Sequence, residues 1–269
     1  MQRIIYILML GNIIFYINCK ESEKEVYAKY PARVIQVENQ NIKGTTYIVQ
    51  AEKLYQLDIK EEDKKLLDDI KKNLGVKNAS DIIKVKLTDG TIGFTRKNAI
   101  GGKPFVVIAE EINVYLRPGG DVYHKIPIGS LCNELEENKE YNMIKISCYD
   151  ALSGGPIQGK WISGKWIKKE ENTISYNRED IEDVKLIQKA IMTIKKAKNP
   201  DNKNVIEALE TLNKIIEKNS STKSYAAKKL EEAHEILDKK IVEEETQEVE
   251  TQELPEEQPQ EETQPYNNQ

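Results

Sequence analysis

The chain contains few of the residues that most enzymes use for catalysis. It has two histidines and three cysteines in 269 residues, and neither His124 nor His234 has Cys, His or carboxylate neighbours at the spacing of metal ligands. The glycine pairs Gly119-Gly120 and Gly154-Gly155 belong to neither a Walker loop nor a dinucleotide-binding fingerprint. We therefore expect a protein that is not an enzyme and that uses no metal or other cofactor.

The chain also lacks a cluster of Lys and Arg with interleaved aromatic residues. Residues Glu243 to Gln269 hold ten Glu and no Lys or Arg; without them, 40 basic residues stand against 35 acidic ones (45 − 10), a balance of about +5. A mildly basic body of this kind does not indicate nucleic-acid binding. The acidic end has too few apolar residues to offset its ordering entropy, so residues 245–269 are predicted to be a disordered tail.

The apolar run near the N-terminus is too short for a permanent membrane span. It extends without a charge from Ile4 to Ile17, whereas a span needs roughly 20 residues. Cys19 follows it, and the charged segment Lys20 to Glu25 comes next. This arrangement resembles the lipobox of bacterial lipoproteins, although Tyr16 and Asn18 differ from the residues that family favours.

The resemblance implies that residues 1–18 are a signal peptide and that Cys19 is acylated. The protein is then anchored to a membrane on the non-cytoplasmic side of the cell envelope, in the periplasm or at the cell surface. The alternative is a signal that is cut elsewhere or retained, with Cys19 incidental. Residues 19–41 are predicted to be a linker.

Two segments in the middle of the chain are similar to each other. Tyr47 to Leu54 aligns with Phe105 to Ile112, and Thr91 to Ile100 matches Gly159 to Ile167 in character. These pairs predict an internal repeat of two small β-domains.

The second copy, over residues 102–170, has an ordered series of β-strand and turn motifs. They are Ile112-Asn113-Val114, Arg117-Pro118-Gly119-Gly120, Ile128-Gly129-Ser130-Leu131, a return strand from Tyr141 to Cys148, and Lys160-Trp161-Ile162. In this order they resemble bacterial SH3 domains, which implies a small SH3-like β-barrel that binds cell-wall peptides. Alternation of Ile144, Ile146 and Cys148 with polar residues is typical of a half-buried strand.

The first copy, over residues 42–101, is interpreted as a degenerate SH3-like domain with a helical insertion. Asp58 and Glu61 have the spacing of a capping box, and Leu67, Ile70 and Leu74 share one helical face. Gly75 is placed where such a helix would end. Asp89-Gly90 predicts a β-hairpin with a two-residue turn.

Cys132 and Cys148 lie on opposite arms of the predicted hairpin that turns near Asn138 to Glu140. Simple register places residue 132 opposite 146, so a bulge is needed before the two sulfur atoms can bond. A disulfide and a pair of buried thiols both remain possible at this point.

In residues 178–244 the apolar residues recur with a period near 3.6, whereas in the preceding β-region they recur with a period of two. These residues are therefore predicted to form three helices. Their apolar stripes are Ile181, Val184, Ile187, Ile191 and Ile194; Val205, Leu209, Leu212 and Ile216; and Tyr225, Leu230, Ala233 and Leu237. The segment Ala208 to Ala233 resembles the junction between tetratricopeptide repeat units, but a small three-helix bundle is the preferred interpretation.

The sequence thus predicts a mainly β plus α protein with two SH3-like barrels, a helical region and a tail. Its expected partner is peptidoglycan or another envelope component. The contact residues are expected among exposed aromatic and basic groups of the second barrel: Tyr115, Arg117, Tyr123, Trp161 and Trp166. The alternatives are a scaffold protein that binds a protein partner through its helices, and a surface adhesin.

Overall fold

The computed structural model describes residues 23–155, 157–160, 162–199, 201–218 and 220–252. Within these ranges the chain is a mixed β and α protein with two seven-stranded antiparallel sheets and four α-helices. The predicted signal peptide (residues 1–18), Cys19, Trp161 and the part of the predicted tail from residue 253 onward lie outside the described residues.

The first sheet has the order β3-β2-β6-β5-β4-β1-β7, and each neighbouring pair is antiparallel. Its strands are β1 (Lys24–Ala28), β2 (Ala32–Glu38), β3 (Asn41–Ile48), β4 (Lys53–Leu57), β5 (Ile82–Leu87), β6 (Ile92–Arg96) and β7 (Ile100–Gly101). Its core contains Val34, Ile48, Leu54 and Val85, all fully buried.

The second sheet has the order β10-β9-β13-β12-β11-β8-β14. Its strands are β8 (Pro104–Val107), β9 (Glu111–Tyr115), β10 (Val122–Pro127), β11 (Leu131–Asn138), β12 (Met143–Tyr149), β13 (Ser163–Lys168) and β14 (Ile174–Ser175). Subtracting seven from each strand number gives the order of the first sheet, so both sheets have one topology. The second domain therefore extends past the predicted boundary at residue 170 to Ser175.

The shared topology corrects half of the predicted repeat alignment. Strand β8, which contains Phe105, occupies the place that β1 occupies in the first sheet. The partner of the Phe105 segment is therefore the Lys24–Ala28 strand and not the segment that begins at Tyr47. The second predicted match contains the equivalent strands β6 and β13, although β13 begins only at Ser163, four residues after the start of the matched segment.

The prediction of a linker over residues 19–41 is wrong for its described part. Strands β1 and β2 lie there, and Val26, Ala28 and Val34 enter the core. The turn between β2 and β3 is made by Asn39 and Gln40, both at positive φ, which suits a tight hairpin. The sequence did not predict these short strands because charged residues stand between their apolar residues.

The predicted helical insertion is present as a 3-10 turn, Glu61–Leu66, followed by α1 (Leu67–Leu74). The backbone N–H of Lys60 donates to Asp63 Oδ2 at 2.7 Å, so the segment starts two residues later than the predicted capping box at Asp58. Gly75 ends α1 in the left-handed conformation with φ of 63°, which confirms that prediction.

The predicted hairpin at Asp89-Gly90 joins β5 to β6. Leu87 N–H donates to Thr91 O at 2.8 Å, and Gly90 has φ of 89°. The loop therefore has three residues and not two. Asp89 Oδ1 accepts from Thr91 N–H and fixes the loop.

Three longer helices follow the second sheet: α2 (Arg178–Lys196), α3 (Lys203–Glu217) and α4 (Lys223–Gln252). Helix α4 runs eight residues beyond the predicted end of the helical region at residue 244, which corrects the predicted start of the tail. Glu and Gln are good helix formers, so the acidic composition there is compatible with a helix. In α3 the buried residues are Val205, Ala208, Leu212 and Ile215, whereas the predicted Leu209 and Ile216 are half-buried.

The helices and the second sheet share one hydrophobic core. Val106, Ile128 and Leu131 of the sheet domain pack with the buried stripes of α2, α3 and α4. Gly129, with φ of 78°, lies under the ring of Tyr225, and a Cβ there would come within 2.4 Å of three ring carbons. The helical region is therefore packed onto the second sheet and is not a separate module.

The two sheet domains are also in contact. Gln50 Nε2 donates to Leu131 O at 3.1 Å and to Tyr149 O at 3.2 Å, in a buried environment. The rings of Tyr30 and Tyr149 are 6.0 Å apart. These contacts fix the orientation of the first domain on the second.

Candidate functional site

The hairpin of β9 and β10 carries three of the predicted contact residues: Tyr115, Arg117 and Tyr123. Its loop is closed by the Gly120 N–H, which donates to Arg117 O at 3.2 Å. Gly119 adopts φ of 67°, a conformation that glycine tolerates best. A Cβ at Gly119 would be 3.0 Å from the ring of Tyr141, so that ring lies against the loop.

Tyr115 and Trp166 face each other on neighbouring strands β9 and β13. Tyr115 is half-buried, and Trp166 is only 7% exposed. The ammonium group of Lys145 lies 5.2 Å from the centre of the Trp166 ring. Trp166 was predicted as an exposed contact residue, and this is wrong because side chains of the neighbouring strands cover its ring.

Tyr123 occupies a bulge, since the pairing of β10 with β9 shifts between Val122 and His124. A bulge re-aims the side chain that it contains, and the Tyr123 ring is 40% exposed. Lys165 and Lys160 place their ammonium groups 5.2 and 5.9 Å from its centre. Neither lysine forms an ion pair with a carboxylate among the described residues.

Four large apolar or aromatic side chains are exposed around this loop: Leu116, Val122, Tyr123 and Tyr141, each between 40% and 54% exposed. Together with Arg117, Lys160 and Lys165 they form what we call the hairpin patch. The exposed guanidinium of Arg117 also has no carboxylate partner within the described part of the chain. The patch therefore offers apolar surface next to three basic groups that form no ion pair with a described carboxylate, and the exposed Asp121 lies in the same loop.

The structure brings together Tyr115, Arg117 and Tyr123 of the predicted set and removes Trp166 from it. Trp161 lies outside the described residues. Leu116, Val122, Tyr141, Lys160 and Lys165 were missed by sequence reasoning, because strand pairing and the bulge decide which of them are exposed. The apolar pair Val122-Tyr123, one residue after the Pro-Gly-Gly turn, was the available signal.

Cys132 and Cys148 form a disulfide in the structure. They are directly opposite each other on β11 and β12, with Cα atoms 4.1 Å apart. The turn lies between Asn138 and Met143, and that register alone would place residue 132 opposite 149. The pairing shifts between Glu134 and Glu136, so the extra residue Leu135 brings Cys132 opposite Cys148 and not residue 146 as predicted. Both cysteines are buried in the core of the second sheet.

The two histidines lie on different elements, and the His124 ring is 6.4 Å from the ring of Tyr123 in the hairpin patch. His124 is half-buried on β10, where its Nε2 is enclosed without a hydrogen-bond partner, and His234 is exposed on α4. Across the described ranges there is no group of three or more His, Cys, Asp or Glu side chains placed to hold a metal ion. Within the same ranges no helix combines the length and the apolar character that a membrane span requires.

Two tyrosines have strongly perturbed acidity outside the patch. Burial against the second sheet raises the pKa of the Tyr225 phenol far above its usual range. Burial also raises the pKa of Tyr176, and its hydroxyl donates to Glu134 Oε2 at 2.6 Å, which acts in the same direction. Both phenols are therefore held in their neutral form.

No protein-family model and no curated protein matches the chain. Two solved structures show a distant likeness: NlpC1 from Trichomonas vaginalis, 13% identical with a TM-score of 0.20, and NlpC2 from the same organism, 12% identical with a TM-score of 0.21. The matches cover 60% and 65% of this chain and 48% and 56% of those proteins, so the chain spans about half their length. Likenesses at these TM-scores carry no argument about fold or function.

Proposed function

We propose that this chain is a non-enzymatic, lipid-anchored protein of the bacterial cell envelope that binds cell-wall peptides through the hairpin patch. The observation that carries the proposal is the patch itself. Apolar and aromatic side chains there are exposed next to Arg117, Lys160 and Lys165, which have no carboxylate partners among the described residues.

The chemistry of the patch suits a short anionic peptide. Aromatic rings such as Tyr123 pack against peptide backbone and aliphatic side chains while their hydroxyl groups stay in water. The guanidinium of Arg117 can bind a carboxylate through two parallel hydrogen bonds. Lys160 and Lys165 add positive charge that attracts the same carboxylate and speeds its encounter with the patch.

The proposal includes an SH3-like identity for both β-domains. Two features support it: the strands are short, and both sheets have one strand order.

An acylated Cys19 would hold the first sheet close to the membrane, since β1 begins five residues later at Lys24. Five extended residues reach at most about 18 Å. Metabolic labelling with a radioactive fatty acid tests the anchor. Label in the full chain that is lost in Cys19→Ala supports it, and label retained in Cys19→Ala contradicts it. Protease treatment of intact cells then separates a periplasmic location from a surface one.

The second candidate function is a scaffold that binds a protein through its helices. Leu186 of α2 and Ile206 of α3 favour it, because they are 43% and 51% exposed. The main apolar stripes of the helices are already covered by the second sheet, so this surface is smaller than a free three-helix bundle would offer. Loss of partner recovery in Ile206→Glu, with unchanged peptidoglycan binding, would favour the scaffold.

Cosedimentation of the full chain with purified peptidoglycan tests the main proposal. Tyr123→Ala and the pair Lys160→Gln with Lys165→Gln are expected to weaken binding about tenfold or more, which corresponds to roughly 1.4 kcal/mol. Tyr47→Ala is the matched control, because Tyr47 is a 64% exposed tyrosine on the first sheet. An equal loss of peptidoglycan binding in the two patch variants and in the control, or unchanged binding in all three, would count against the patch.

A further inference from the structure

A second cleft lies where the first sheet, the second sheet and helix α2 meet. Its volume is about 390 Å³, within the range of small-ligand pockets. Tyr27, Val49 and Lys53 line it from the first domain, Lys103 from the second, and Arg178 and Lys185 from α2. It shares no residue with the hairpin patch.

The charges around this cleft do not cancel. Four basic side chains line it, Lys53, Lys103, Arg178 and Lys185, against two carboxylates, Glu52 and Glu182. Glu52 Oε2 already accepts from the backbone N–H of Val49 at 2.8 Å, and Glu182 already pairs with Lys185 at 3.1 Å.

Two of the cations form no ion pair with a carboxylate among the described residues. Lys53 pairs with Glu25 just outside the cleft. Lys103 lies against the face of the Tyr176 ring, with its ammonium group 5.2 Å from the centre, and its charge also helps to lower the pKa of Glu25. Arg178 forms no hydrogen bond or ion pair with a described side chain. Both are exposed, so both can reach a ligand without breaking an existing pair.

The wall opposite these cations is apolar and fixed. Val49 is 51% exposed although it is a large aliphatic residue. Its neighbour Ala51 has φ of 62°, and the Ala51 N–H donates to Ala28 O at 2.8 Å, which holds the turn. Pro104 and Ile181 also line the cleft, but both are buried, and Ile181 is only 6% exposed.

We propose that this cleft binds a carboxylate attached to a short aliphatic body, such as the C-terminus of a small peptide. Arg178 and Lys103 would hold the carboxylate, and the exposed side chain of Val49 would contact the aliphatic part. The planar guanidinium of an arginine presents its N–H donors in a fork that matches the two oxygens of a carboxylate. This second site is independent of the proposed function of the hairpin patch.

The test is a titration of the full chain with acetyl-alanyl-alanine and, separately, with its C-terminal amide. Binding is measured by calorimetry and by the NMR shifts of the backbone amides of residues 49–53. The free acid is expected to bind saturably and about tenfold more tightly than the amide. Arg178→Gln and Lys103→Gln are expected to lose most of that difference. Lys203→Gln is the matched control, because the Lys203 side chain is 87% exposed on α3.

An unchanged thermal midpoint in each variant shows that it is folded. Equal affinity for acid and amide, or full binding in both cleft variants, would overturn the proposal. Inorganic phosphate is the competitor: displacement of the peptide by an equal concentration of phosphate would assign the cleft to phosphate groups and contradict the carboxylate assignment.

Discussion

The disulfide between Cys132 and Cys148 is expected to contribute a large part of the stability of the second sheet. It joins residues separated by 16 positions, and closing a loop of that length lowers the entropy of the unfolded chain by an amount worth about 3 kcal/mol. The second sheet and the helices share one core of about 150 residues, and for a unit of that size loss of the disulfide corresponds to a fall of roughly 6 to 12 °C in the midpoint of thermal unfolding.

The assay is urea unfolding followed by tryptophan fluorescence, since Trp166 lies on β13 next to β12. Both cysteines are buried, so the protein must be reduced while unfolded and then refolded with reductant present. The double variant Cys132→Ala with Cys148→Ala should lose the same 3 kcal/mol, plus about 1 kcal/mol or more for the cavities left by the sulfur atoms.

The comparison between reduced and oxidised wild-type protein separates the cross-link from the cavity. If the two forms unfold at the same urea concentration, the reasoning about loop closure is refuted. Two free thiols in the exported protein, found by mass spectrometry without reductant, would refute the bond itself.

Three further predictions concern packing and charge. Gly129→Ala should destabilise the protein by more than about 2 kcal/mol in urea unfolding, because a Cβ there collides with Tyr225; Gly155→Ala, with open space around it, should be nearly neutral. Asp63→Asn should cost roughly 3 kcal/mol, measured in the same way, because it leaves Lys84 buried without its carboxylate. Stability should fall as pH rises above about 10, because Tyr225 stays protonated in the folded protein and ionises in the unfolded one; Tyr225→Phe should reduce that fall in pH-dependent denaturation.

Each of the last two predictions has a matched control. Asp68→Asn removes an exposed pair with Lys71 and should change stability by less than about 0.5 kcal/mol. Tyr47→Phe removes the hydroxyl of an exposed tyrosine and should leave the alkaline fall unchanged. A cost at Asp68 equal to that at Asp63, or an equal effect of both tyrosine variants, would contradict the assigned role of burial.

Local signals in the sequence predicted part of the fold correctly. Gly75 was identified as the end of a helix, because only a residue that tolerates positive φ suits that place. The hairpin at Asp89-Gly90 and the buried face of Ile144, Ile146 and Cys148 followed from turn chemistry and alternation. These features depend on neighbours close in sequence.

Features that depend on distant neighbours were missed or wrong. Strands β1 and β2 gain their stability from pairing with β4 and β6, which lie far along the chain. Trp166 is buried because Lys145 and Tyr115 flank it from two other strands. The exposed pair Val122-Tyr123 depends on a bulge that has no strong sequence signature.

Binding of cell-wall peptides at the hairpin patch is tested by titrating the full chain with soluble muropeptides and recording NMR spectra. We expect saturable binding with shifts confined to the hairpin patch, at Arg117, Val122, Tyr123 and Lys165, and loss of that binding in Tyr123→Ala. No binding at millimolar muropeptide, or shifts located elsewhere with Tyr123→Ala unaffected, would contradict it.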